Sequence, residues 1–186
     1  MSPHDHTTTS LGRALIRSAT ALALTLGPAS IGCARTPPPS LPSSLYGTPM
    51  PSFERRSLDG REVSSEEFRG QIVVVEFFAS YCEPCRRSLP AIVKLARRDH
   101  RLTIVAIGED ERLDLTAKMA ADYGLTMPVL HDASNVLAAR FRIDGLPSTF
   151  VVDERGTIRW IGGAAYDAAI LARVIQAIRN DPGPSF

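Results

Sequence analysis

An apolar run, Ile72-Val73-Val74-Val75-Glu76-Phe77-Phe78-Ala79, leads within three residues into Cys82-Glu83-Pro84-Cys85. The run has the character of a central strand buried on both faces. Two cysteines at this spacing, where a strand hands over to a helix, form a reversible dithiol/disulfide couple. The helix start supplies unpaired backbone N–H groups and a partial positive charge, which favour a thiolate at Cys82. That thiolate is the nucleophile of thiol–disulfide exchange. One Cys-x-x-Cys can also be half of a zinc site, but four ligands are normally needed. The only other cysteine is Cys33, and neither a second Cys-x-x-Cys nor a His-x-x-x-His is present. Redox chemistry is therefore favoured over a metal. A permanent structural bridge is disfavoured too, because so short a loop restrains the unfolded chain little.

The remaining pattern frames this strand in an α/β layer fold. Residues 52–63 read as two short strands about Asp59-Gly60, and Ser64 to Gly70 as a capped helical turn. A helix is predicted from about Glu83 to Arg98, with Pro84 in its first turn and a kink at Pro90. A buried strand over 102–108 follows, then a helix from Leu113 to Tyr123 closed by Gly124. Next come a short strand over 127–130 and a short helix from Asn135 to Phe141. Ser148 to Asp153 and Thr157 to Ile161 read as a hairpin about Glu154-Arg155-Gly156. A last amphipathic helix spans Tyr166 to Arg179, with Ile170, Val174, Ile175 and Ile178 on one face.

The N-terminal third reads differently. Arg13 and Arg17 precede a short apolar stretch over 19–26, as in an export signal over residues 1–32. The stretch is too short to span a bilayer comfortably as a permanent helix. Ala29-Ser30-Ile31-Gly32-Cys33 resembles the lipobox of bacterial lipoproteins, with Ser30 where an aliphatic residue is usual. The resemblance implies lipidation of Cys33; the alternative is cleavage nearby with Cys33 left as a thiol. Residues 33–46 are Pro/Ser-rich and read as a tether between membrane and a domain over 47–186. The formal net charge of +1 gives no electrostatic case for nucleic acid.

Val75-Glu76-Phe77-Phe78-Ala79-Ser80-Tyr81-Cys82-Glu83-Pro84-Cys85-Arg86-Arg87, with Leu146-Pro147-Ser148-Thr149-Phe150-Val151-Val152-Asp153 downstream, resembles the thioredoxin superfamily. More narrowly, it is similar to the exported TlpA/ResA-like thiol–disulfide oxidoreductases. The resemblance implies a thioredoxin fold: a central mixed β-sheet flanked by helices, with an N-terminal β-hairpin extension and a central insert around 108–130. It implies that Cys82 attacks a substrate disulfide and that Cys85 resolves the mixed disulfide. It also implies that Glu76 takes and returns the proton of Cys85, with burial raising its pKa. If strand alternation turns Glu76 outward instead, it is a solvated edge residue. Leu146-Pro147 resembles the family's cis-proline beside the dithiol, where Leu146 offers backbone groups to a bound peptide. Tyr81, Glu83 and Pro84 line the rim, and Glu83 opposes the Cys82 thiolate. This branch usually has an acidic residue where Ser88 stands, so Glu76 stands in for it. His131-Asp132 reads as a surface pair.

The resemblance thus implies a reductase on the periplasmic side of a bacterial membrane, acting on disulfides of exported proteins such as apocytochrome c. It would be held to the membrane through Cys33 and recharged by a thiol donor of the DsbD or CcdA type. The redox-active Cys82–Cys85 disulfide serves in place of any cofactor, and no metal ligand set appears. Two rivals share the fold. A peroxiredoxin-type peroxidase needs Thr three residues before its reactive cysteine, where this chain has Ala79. A copper-delivery module needs His131 near Cys82, and such modules usually space their cysteines more widely.

Overall fold

The computed structural model describes residues 40–181 of the 186-residue chain. The expected export signal, the lipidation candidate Cys33 and the first part of the tether lie outside the described residues.

Strands β1 (Glu54–Arg56) and β2 (Glu62–Ser64) pair as a two-stranded antiparallel hairpin. A 3-10 turn, Ser65–Phe68, follows, with Ser64 and Glu67 forming a reciprocal capping box as the Ser-x-x-Glu spacing predicts. Five further strands then build one sheet in the order β5-β4-β3-β6-β7. These are β3 (Val73–Phe78), β4 (Thr103–Gly108), β5 (Val129–His131), β6 (Ser148–Val152) and β7 (Ile158–Gly162). The helices are α1 (Cys85–Arg98), α2 (Leu113–Tyr123), α3 (Val136–Arg140) and α4 (Ala168–Asn180). Strand β3 runs parallel to β4 and antiparallel to β6, and β4 runs parallel to β5. The sheet is therefore mixed, and the stretch around 108–130 contributes α2 and carries the chain to β5 on the sheet's edge.

Every residue of β3 is buried, because the sheet is covered on both faces. Val73, Val75 and Phe77 pack with Phe53, Phe141 and Phe150 on one face. Val74 and Phe78 turn to the other face, toward Ile92 and Leu89 of α1. Strand alternation puts Glu76 on this second face, beneath α1. Close approach matters at Gly108, where a Cβ would stand 2.3 Å from the Thr116 side chain of α2.

Two helix starts differ from the sequence reading. Helix α1 begins at Cys85, with Pro84 as its cap, so both cysteines bracket the helix start. Pro90 lies inside the helix at an exposed position. Helix α4 begins at Ala168 because the Asp167 side chain accepts from Ile170 N–H at 2.8 Å. Its buried face is Leu171, Val174, Ile175 and Ile178, with Ile170 only partly covered.

The domain also starts before residue 47. Leu41 N–H donates to Ile161 at 2.8 Å and Gly47 N–H to Ile158 at 2.8 Å. Leu45, expected in the tether, is only 8% exposed and joins the core. The outer edge of β7 offers free backbone groups, and this segment satisfies them.

Candidate active site

Cys82 and Cys85 form a disulfide, with Cα atoms 5.3 Å apart, at the point where α1 begins. Cys82 is 6% exposed and Cys85 fully buried. The Cys85 N–H lies 3.1 Å from Cys82 Sγ, a backbone donor aimed at the sulfur that would carry negative charge after reduction. The asymmetry in access and the donor both favour Cys82 as the attacking sulfur.

The loop before Cys82 is pinned from β4. Asp110, buried just beyond that strand, accepts from Ser80 N–H at 2.9 Å and from Ser80 Oγ–H at 2.6 Å. Its second oxygen accepts from Thr116 Oγ–H at 2.9 Å. Tyr81 is left 73% exposed at the rim. Glu83 is exposed and paired with Arg86 at 3.1 Å, while Pro84 is half-buried. Burial, and then the charges of Glu109, Asp110 and Glu111, push the Tyr81 hydroxyl above its ordinary range, which marks this side as acidic. Glu109 is buried, and its Oε1 has no hydrogen-bond partner among the described residues. Burial, with the Asp132 charge behind it, raises its carboxyl to about 7.

The Leu146–Pro147 peptide bond is cis, and Pro147 is buried. Leu146 packs against the cluster that holds Cys82, Cys85 and Leu89. A cavity of about 420 Å³ flanks this loop, lined by Leu41, Pro42, Arg142, Ile143, Leu146 and Pro147.

Glu76 is fully buried, so the solvated-edge alternative does not hold. Its Oε1 accepts from Ser88 Oγ–H at 2.8 Å, and that hydroxyl also lies 3.3 Å from the Cys85 carbonyl oxygen. Its Oε2 accepts from Tyr166 O–H at 2.8 Å and from the Thr149 hydroxyl. Burial raises the carboxyl to about 7, against the three hydroxyl donors, which lower it. Its carboxyl therefore reaches Ser88, in the first turn of α1, from the strand side.

His131 and Asp132 are not a surface pair. His131 Nε2 lies 2.7 Å from the Asp110 carbonyl oxygen, and buried Asp132 accepts from Leu137 N–H at 2.7 Å and Ala138 N–H at 3.0 Å. Both are used in holding α3 and the loop after β4. Among the described residues, no three His, Cys, Asp or Glu side chains gather as a metal site. Asp110, Thr149 and Tyr166 escaped the sequence reading, having no local pattern to mark them.

The AhpC/TSA family model matches residues 46–161. The thioredoxin-like protein YneN of Bacillus subtilis is 32% identical over 117 residues, which are 61% of this chain and 68% of that protein. The thiol–disulfide oxidoreductase ResA of Geobacillus thermodenitrificans is 29% identical over 117 residues, 62% of this chain and 67% of that one. Among solved structures, a thiol:disulfide interchange protein of the thioredoxin family from Chlorobium tepidum superposes with a TM-score of 0.64 at 27% identity. That superposition covers 73% of this chain and 98% of the other. The match over 46–161 takes in the dithiol, the Leu146–Pro147 loop and all seven strands but the final residue of β7, and the chain belongs to the AhpC/TSA family, among its thioredoxin-like thiol–disulfide oxidoreductases.

Proposed function

We propose that the protein works outside the cytoplasm as a reductant of disulfides in exported proteins. The Cys82 thiolate attacks one sulfur of a substrate disulfide, and a substrate thiolate leaves. Cys85 then gives its proton to Glu76 and attacks Cys82, which releases the second substrate thiolate and closes the Cys82–Cys85 disulfide. Two electrons pass to the substrate, and a donor dithiol of the DsbD or CcdA type restores the reduced form. The observation that carries this reading is the buried carboxyl of Glu76, bonded through Ser88 to the turn that holds Cys85. A group with a pKa near the working pH suits a proton that must be taken and returned.

The acidic side of the site supports reduction over oxidation. Negative charge at Glu83, Asp110 and Glu111 opposes the helix-start stabilisation of a Cys82 thiolate. A less stabilised thiolate makes the reduced form less stable and the dithiol a stronger reductant. Half-buried Leu146, packed against the cluster that holds Cys82, suits strand-like pairing of its backbone with a substrate peptide, with Tyr81, Glu83 and Pro84 at the border. The signal-like segment before Cys33 supports export, lipid anchoring and a periplasmic site of action. Within that setting, apocytochrome c thiols awaiting haem are the substrate class that the resemblance to the ResA-like branch suggests.

The test is the reduction potential of the Cys82–Cys85 couple, by equilibration with glutathione or dithiothreitol. A value near the roughly −270 mV of thioredoxin is expected. One near the roughly −120 mV of DsbA would make the protein an oxidant and overturn the reading.

A further inference from the structure

Three hydroxyls from three separate elements converge on Glu76, and only Ser88 lies on the helix that carries Cys85. Thr149 comes from β6, the antiparallel neighbour of β3, where it stands directly opposite Glu76. Tyr166 comes from the loop between β7 and α4. Because Asp167 caps the helix at Ala168, Tyr166 stays outside it and is free to turn toward the sheet. Its ring packs edge-on against Trp160, with centroids 5.6 Å apart at 86°. That contact aims the hydroxyl at Glu76 Oε2, 2.8 Å away, and the same hydroxyl is bonded to Thr149 Oγ.

This arrangement serves both protonation states of the carboxyl. A carboxylate only accepts hydrogen bonds, whereas a carboxylic acid must also donate one. With Glu76 ionised, Ser88 and Tyr166 donate to it, and the single Thr149 proton goes either to Oε2 or to the Tyr166 oxygen. With Glu76 protonated, Thr149 or Tyr166 accepts its proton while the other of the pair remains bonded through the link between them. Neither state leaves a buried polar atom unpaired, and neither requires a heavy atom to move.

We propose that Tyr166 is a positioning residue for thiol–disulfide exchange: with Thr149, its hydroxyl sets the balance between the two protonation states of Glu76 and so the pH range in which Cys85 can lose its proton. The proposal rests on the reading of Glu76 as the proton acceptor. Opposite Glu76 on β4 stands Ala106, and Thr149 on β6 does not titrate. Among the described residues, Tyr166 is the titratable group bonded to the carboxyl, and Cys85 is joined to it through Ser88 and the Cys85 carbonyl oxygen. Burial, followed by the charge of Glu76, holds the Tyr166 hydroxyl well above its ordinary value, so it acts as a donor and does not ionise with Glu76.

Tyr166→Phe keeps the ring against Trp160 and removes one donor to the carboxylate. A hydrogen bond to an ionised group corresponds to about one pH unit in the midpoint of its titration. Two readouts test this on the purified protein. One is carbon-13 NMR titration of the Glu76 carboxyl in the oxidised protein. The other is the pH profile of the second, resolving release of thionitrobenzoate in single turnovers of the reduced protein with Ellman's disulfide. Tyr166→Phe is expected to move both midpoints up by about one pH unit, slowing resolution about tenfold on the acid side. Thr149→Val should move them in the same direction, and Thr149→Ser should restore them. An unchanged near-UV signal from Trp160 certifies the packing. Should Tyr166→Phe fail to fold, the Thr149 pair decides. If Glu76→Gln leaves the resolving profile intact, the acceptor role itself fails. If Glu76→Gln abolishes it while the Tyr166 and Thr149 variants titrate like the parent protein, the positioning role alone is overturned.

Discussion

At the scale of single residues, Glu76 is the group whose chemistry the fold changes most. Its carboxyl titrates at about 7 in the folded protein against an ordinary 4.5, chiefly through burial. Between those values the folded protein holds a proton that the unfolded chain has released. Stability therefore falls as pH rises through that window and levels off above it. The contribution is on the order of 3 kcal/mol. Glu109, also raised to about 7, adds a fall of the same sign. Urea unfolding at pH 5 and pH 8 should show the protein less stable at the higher pH, and Glu76→Gln should shrink that difference by about 3 kcal/mol. An unchanged difference would mean that the carboxyl is not held protonated. The sequence singled out Glu76 through its placement in an apolar run, but could not say which way it pointed. Both flanks of β3 are apolar because both faces of the sheet are covered, so alternation carried no signal. Its partners were hidden for a second reason: Thr149 and Tyr166 lie 73 and 90 residues away along the chain.

At the scale of elements, the start of α1 is useful only because its approach is rigid. Cys82 follows a loop that Asp110, from the next βα connection, holds through both the Ser80 N–H and the Ser80 hydroxyl. Asp110 in turn depends on Thr116, which sits hard against Gly108. Asp110→Ala would leave the Ser80 N–H and hydroxyl without their acceptor in a mostly buried place. The expected cost is about 3 kcal/mol of stability, each orphaned group adding roughly 1–3 kcal/mol where water does not replace the bond. The reduced variant should also show a changed rate of Cys82 alkylation by iodoacetamide, because the Cys85 N–H would no longer be aimed steadily at its sulfur. Equal stability and equal alkylation rates in variant and parent would remove Asp110 from the support of the site. The element pattern itself was largely legible: strands, helices, the capping box at Ser64 and the glycine-closed end of α2 stand near their predicted places. Local chemistry dictates these features. The start of α4 shifted because capping by Asp167 competed with the apolar period, while α1 begins at Cys85, directly after Pro84.

At the scale of the whole molecule, the sheet is closed on one side by a segment whose first part, through residue 46, composition assigned to a tether. Residues 41–50 hydrogen-bond along β7 and its hairpin, including Ile158 N–H to Thr48 at 2.9 Å and Met50 N–H to Gly156 at 2.8 Å. A chain shortened to begin at Pro49 would open that edge and remove Leu45 from the core. It should melt several degrees lower and self-associate through the bare strand, as seen by thermal unfolding and light scattering. Leu45→Ala in the full chain should cost about 2–4 kcal/mol and leave the protein monodisperse. An unchanged melting temperature in the shortened chain would make the segment a passive linker. The order of strands and helices and the dithiol at a helix start were present in the sequence, because each is written in neighbouring residues through period and caps, and the Leu146-Pro147 turn was legible through the resemblance to the thioredoxin superfamily. The inward turn of Glu76, its three hydroxyl partners, the hold of Asp110 on the Cys82 loop and the docking of Leu45 were decided by the tertiary structure. Each depends on groups far apart in the chain that meet only when the sheet and its covering helices close over them.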